Sequence, residues 1–190
     1  MKKTIFFLMI SLFCWLPLSN FAQTKSVKKQ ASETVSEFYK FHRRSSDLFN
    51  RRDIDARKKW FSPELYRLFL YELKREKEFL KENPTDKPMF GEGLTFQPWD
   101  ECVSGGYSYK NRYKIGKNTI NKNKAVVEVS FYYPQKCENG GLISTHTVEL
   151  IKLKNKWLIN DFVFPSRGAG RFDAYALTGR LSAILKRKEY

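Results

Sequence analysis

Cysteine and histidine are both scarce in this chain, with three and two residues among 190. A structural zinc site takes four ligands, and the two histidines, His42 and His146, are distant from each other, so neither a metal nor another cofactor is expected. No apolar run reaches the roughly 18 residues that a membrane-spanning helix needs. Internal repeats and low-complexity linkers are also missing, and no catalytic signature names a reaction. Acids are few beside bases, 20 against 35, which gives a net charge of +15. What is present is a 42% apolar and 16% aromatic composition, too rich for intrinsic disorder and sufficient for one well-packed domain.

The first residues read as a secretory signal. Met1-Lys2-Lys3 is a basic start, residues 5–16 are apolar apart from Ser11, and Pro17 leads into a short stretch ending at Ala22. Cleavage after Ala22 is expected, and Phe13 before Cys14 argues against a lipid-modified cysteine. The cut takes away Lys2 and Lys3 and no acid, so 33 bases face 20 acids, or +13 on 168 residues. A periplasmic or secreted location follows. Cys102 and Cys137 then remain as the only pair, and in an oxidising compartment a disulfide between them is expected to stabilise the fold by roughly 3–5 kcal/mol. Two unbonded thiols are the alternative.

Periodicity divides the rest in two. Val27, Ala31, Val35, Phe38, His42 and Phe49 recur at near-helical spacing, predicting a helix over 27–50, with a short one over 54–61. Ser62-Pro63 is a helix start, a capping hydroxyl followed by a residue whose missing N–H is not needed in the first turn, and the apolar set from Leu65 to Leu80 carries that helix to about Lys81. Residues 84–106 have no clean period. Strands are predicted over 107–115, 124–133, 143–153 and 157–164, joined by turn chemistry at Asn139-Gly140-Gly141 and Lys154-Asn155-Lys156. A last helix is expected over 172–186. Helices first and strands after predict an α+β fold, with N-terminal helices packed on a curved, cone-like antiparallel sheet and an extra C-terminal helix. The expected organisation is a signal peptide over 1–22, a single α+β domain over 25–165 and a C-terminal helical extension over 166–190.

The segment from Leu150 through Lys154-Asn155-Lys156 to Trp157-Leu158-Ile159-Asn160-Asp161-Phe162 resembles the closing strands of the nuclear transport factor and ketosteroid isomerase-like, or cystatin-like, superfamily. Taken with Val35-Ser36-Glu37-Phe38-Tyr39, Phe61-Ser62-Pro63-Glu64-Leu65 and Trp99-Asp100, the whole looks like one of its secreted bacterial families of unknown function, over about residues 30–164. The chain departs from that pattern in the short stretch before Ser62 and in the helix added after residue 165. The resemblance implies a sheet wrapped on the first helix. It does not imply one activity, because the superfamily holds isomerases, dehydratases, binding proteins and assembly modules.

An isomerase-like site needs a carboxylate base in an apolar pocket facing hydroxyl or imidazole donors. Asp161, Asp100, His146 and His42 are the candidates for such a pocket. Each also has a plainer reading: Asp161 as a strand-end acid, Asp100 as a turn acid, His42 as a core histidine, His146 as a strand residue facing cavity or water. Arg167, Gly168, Gly170 and Arg171 form a basic, glycine-rich loop ahead of the last helix and are the candidate anion site. Basic residues are spread along every element, which favours solubility and weak attraction to polyanions. Tyrosines interleave with bases in Tyr107-Ser108-Tyr109-Lys110, but export argues against nucleic acid as the partner. The expected function is an exported, non-catalytic binding or interaction module of the cell envelope, its partner a small molecule, an anionic envelope component or a protein. The alternative is a small pocket enzyme of isomerase or hydrolase type using a carboxylate base.

Overall fold

The computed structural model describes residues 16–46, 48–86, 90, 94, 96, 102–104, 107–109, 112–132, 141–165 and 179–186, with the backbone alone for 16–25, 102–104 and 107–109. Helix α1 (Leu16–His42) buries Ala31, Val35, Phe38, Tyr39 and His42 along one stripe. It ends eight residues before the spacing predicts. The chain tightens at Arg44, whose N–H donates to the Phe41 carbonyl at 3.0 Å, and Asn50 is extended at φ −141° to accept the Asp53 N–H at 3.0 Å as the cap of α2 (Arg51–Arg57). Phe49 reaches the core from this loop instead of from the helix.

A single 3₁₀ turn (Lys58–Trp60) leads to α3 (Pro63–Glu82), which starts where Ser62-Pro63 predicts. Ser62 Oγ accepts the Leu65 N–H at 3.1 Å, and Glu64 sits favourably in the first turn. The Ser62 N–H donates to the Ile159 carbonyl at 2.7 Å, pinning the start of α3 to the sheet.

The sheet is antiparallel and open, in the order β3 (Arg112–Asn121), β4 (Lys124–Tyr132), β5 (Leu142–Leu153), β6 (Lys156–Phe164), β7 (Gly179–Arg180). A separate ladder pairs β1 (Cys102–Ser104) with β2 (Tyr107–Tyr109). The strand predicted over 107–115 is therefore two strands, and the second continues beyond Ile115 through an irregularity between Ile115 and Asn118. The helix expected over 172–186 begins only at Leu181, as α4 (Leu181–Leu185), while residues 172–178 lie outside the described residues. Gly179 and Arg180 instead add an edge strand to β6, and the φ of 84° at Gly179 is one that a side chain would oppose.

Alternation assigns the faces. Ala125, Val127, Val129 and Phe131 of β4 point into the core, while Val126, Glu128, Ser130 and Tyr132 point away from the helices. In β6 the pairing steps from Leu150↔Ile159 to Glu149↔Asp161, which leaves Asn160 as the extra residue of a β-bulge. Trp157 and Ile159 before the bulge, and Phe162 and Phe164 after it, all reach the core. At its centre the Phe96 ring lies 4.7–5.8 Å from the rings of Phe38, Phe61, Phe69 and Phe162. Each such buried ring stabilises the fold by about 2–3 kcal/mol. Leu181, Ile184 and Leu185 of α4 belong to the same core.

The two-residue turns Lys122-Asn123 and Lys154-Asn155 lie at the same end of the five-stranded sheet. They are tied together by the Lys152 N–H, which donates to the Asn123 carbonyl at 2.7 Å. Lys122, Lys154 and Asn155 have φ of 53°, 46° and 63°. Glycine or asparagine is the comfortable choice there, and a lysine costs about 1 kcal/mol. Helix α1 lies antiparallel to β3, its N-terminal part nearer this same end: Tyr113 Oη donates to the Ser36 carbonyl at 3.2 Å, and Asn118 Nδ2 to the Lys28 carbonyl at 2.6 Å. Among the described residues no helix is long and apolar enough to cross a membrane.

Candidate functional site

The face of the sheet turned away from the helices holds a cavity of about 260 Å³ beside the bulge. Val126 and Ile151 give it an apolar floor, and Lys124, Glu149, Asn160 and Arg180 supply its polar groups. The bulge positions it, because Asn160 is the residue left unpaired in the β5–β6 ladder. Arg180 arrives from the edge strand and grips Glu149 with both guanidinium nitrogens at 2.6 Å. Glu149 hydrogen bonds, and then its charge, raise the Arg180 pKa above its ordinary value. The volume lies just under the range of sites that engulf small molecules, and the one carboxylate is already paired. Such a groove suits recognition of a partner's polar edge more than enclosure of a substrate.

Asp161 stands next to this groove but does not line it. Its carboxylate is 2% exposed and surrounded by donors: Ser182 N–H at 2.9 Å, Ser182 Oγ at 2.6 Å, the Phe162 N–H at 2.9 Å and Arg180 Nη1 at 3.4 Å. It holds the start of α4 against the sheet.

His146 is buried on the other face, with its ring 4.7 Å from that of Phe131 and 5.3 Å from that of Phe164. Nε2 lies 3.1 Å from Ser144 Oγ. Burial lowers its pKa to about 4, against a smaller upward effect of the Phe96 backbone. His42 stacks on Phe38 at 5.8 Å and belongs to a third place, under α2. There the fully buried Arg57 donates to the carbonyls of Asp53 at 2.7 Å and Ser46 at 2.6 Å, and to Ser45 Oγ at 3.1 Å. Arg57 Nη2 lies 2.9 Å from His42 Nδ1. A guanidinium offers only donors, so Nδ1 is an acceptor and the ring proton sits on Nε2.

Asp161, His146 and His42 thus occupy three different environments, and none lines the groove. Asp100, Arg167, Gly168, Gly170 and Arg171 lie outside the described residues, as does Cys137. Of Cys102 only the backbone is described, as the first residue of β1. Sequence reasoning missed Arg57, Asp53, Glu72 and Glu76, all buried. Glu72 pairs with Arg75 at 3.0 Å, and Glu76 accepts the Phe90 N–H at 3.0 Å. The available signal was position, since Phe69, Glu72, Leu73 and Glu76 share one helical stripe. Among the described residues no group of three His, Cys, Asp or Glu side chains could hold a metal ion. No protein-family profile matches the chain, and no curated protein or solved structure shows significant similarity to it.

Proposed function

We propose that this chain is an exported, non-catalytic binding or interaction module of the cell envelope, which engages its partner through the outer face of the sheet. The observation that carries this reading is the commitment of Asp161. A general base needs a free lone pair toward substrate, and each oxygen of this carboxylate already accepts from two donors, Oδ1 from the Ser182 and Phe162 N–H groups and Oδ2 from Ser182 Oγ and Arg180 Nη1. The groove beside it offers an apolar floor and a fixed ion pair, which are recognition chemistry. The basic start and apolar stretch before Ala22 support export, and the strands around Trp157 support the resemblance to the nuclear transport factor superfamily, whose members include binding and assembly modules.

Two measurements test it. Fractionation of cells producing the chain should find it outside the cytoplasm with Gln23 as its first residue. A photo-crosslinking side chain at Ile151 should then capture an envelope component that Glu149→Lys no longer captures. Retention of the unprocessed chain in the cytoplasm, or equal capture by the variant, sinks the proposal.

A further inference from the structure

The bases look dispersed along the chain, yet the fold gathers one set of them. Segments 117–127 and 150–160 contain Lys117, Lys122, Lys124, Lys152, Lys154 and Lys156 and no acidic residue. They form the tips of the β3–β4 and β5–β6 hairpins, which turn at the same end of the sheet and are bonded to each other through Lys152 and Asn123. Lys122, Lys124, Lys154 and Lys156 are exposed, and Leu153 among them is 36% exposed. Glu149, the acid nearest in β5, is held by Arg180.

We infer that this lysine-tipped end is a docking surface for an anionic lipid bilayer. Two observations favour a bilayer over other partners. Lys122 and Lys154 stand at turn positions where left-handed backbone disfavours them, so local folding does not account for their presence. An exposed leucine lies between the cations, as in surfaces that seat an apolar side chain below the headgroups. A headgroup phosphate layer presents many anions in a plane, which suits two hairpin tips fixed side by side. This inference rests on the interaction-module reading and adds to it a partner and a surface that adjoins the groove, with Lys124 common to both.

The test is co-sedimentation of the purified chain with phosphatidylcholine vesicles, with and without about one third phosphatidylglycerol. Binding should be at least tenfold tighter to the anionic vesicles and should fall steeply as salt rises from about 0.05 to 0.5 M. The variant Lys122→Gly, Lys154→Gly suits the left-handed backbone and keeps the fold. It should bind about 25-fold more weakly, about fivefold for each lysine near the surface. Equal binding to neutral vesicles, or unchanged binding by this variant, overturns the inference. So does tighter binding to a short duplex DNA than to the vesicles at equal phosphate concentration. Crosslinking from Ile151 is read separately, so the groove reading survives a negative vesicle result and can fail beside a positive one.

Discussion

Asp161 and Ser182 are joined twice, the backbone N–H of Ser182 to one carboxylate oxygen at 2.9 Å and its hydroxyl to the other at 2.6 Å. That pair ties the start of α4 to the sheet, because Asp161 accepts an N–H of the first turn that the N-cap residue Arg180 leaves without a side-chain acceptor. Removing the carboxylate should therefore release a segment as well as cost stability. Asp161→Ala is expected to lose about 2 kcal/mol in urea unfolding and to speed amide exchange at Leu181–Leu185. Unchanged exchange there would refute the capping role.

His146 predicts a dependence on acid. Its folded pKa of about 4 lies below the ordinary value of 6.5, so the unfolded chain takes a proton that the folded chain refuses. The neutral form is the one that fits. Stability should be full above pH 6.5, fall as pH drops from there toward 4, and gain no further loss from this residue below that. The full effect is about 3 kcal/mol. His146→Phe, which keeps a ring against Phe131 and Phe164, should remove that part of the slope. Denaturant titrations at pH 7.5 and 4.5 compare the two, and parallel profiles would count against it.

Arg57 carries the loop before α2. Its guanidinium supplies donors to the Ser46 and Asp53 carbonyls and to His42 Nδ1 with no exposed surface. Arg57→Met fills the space but leaves those acceptors without that donor, and should cost about 3 kcal/mol. Arg57→Lys should recover only a small part, since an ammonium cannot span the same fork of acceptors. Thermal unfolding of both variants decides it.

The turn lysines have a stability consequence apart from any partner. Glycine at Lys122 and Lys154 relieves the left-handed backbone and gives back part of that gain as entropy of the unfolded chain. Each substitution should add about 0.5 kcal/mol. A variant that is less stable than the parent would mean these side chains contribute to the fold.

Much of the architecture was legible because it follows local rules. Ser62-Pro63 marks the start of α3, and the alternation of Val127, Val129 and Phe131 marks the inner face of β4. The end of α1 is not legible in the sequence because Phe49 falls near the helical period although a loop delivers it. Gly179 and Arg180 fall inside the helix that the sequence predicts because only pairing with Val163 and Phe164 makes them a strand, and that pairing is tertiary. Of the site, Asp161 was visible as a polar residue in an apolar strand, but its partner lies 21 residues on. The gathered lysines were invisible for a similar reason. Lys122 and Lys154 are distant in sequence and become neighbours only through the shared end of two hairpins.

The bulge in β6 also sets where this strand can change length. Trp157 and Ile159 point inward before Asn160, and Phe162 and Phe164 point inward after it, so the two halves keep the same face only because one residue is set out of the ladder. Deleting Asn160 would restore an unbroken two-residue alternation and leave all four side chains facing the core. Losing any other single residue between Trp157 and Phe164 would have to be compensated by moving the bulge. In this strand, Asn160 is the position at which evolution or an engineer can shorten the chain at least cost to the aromatic core.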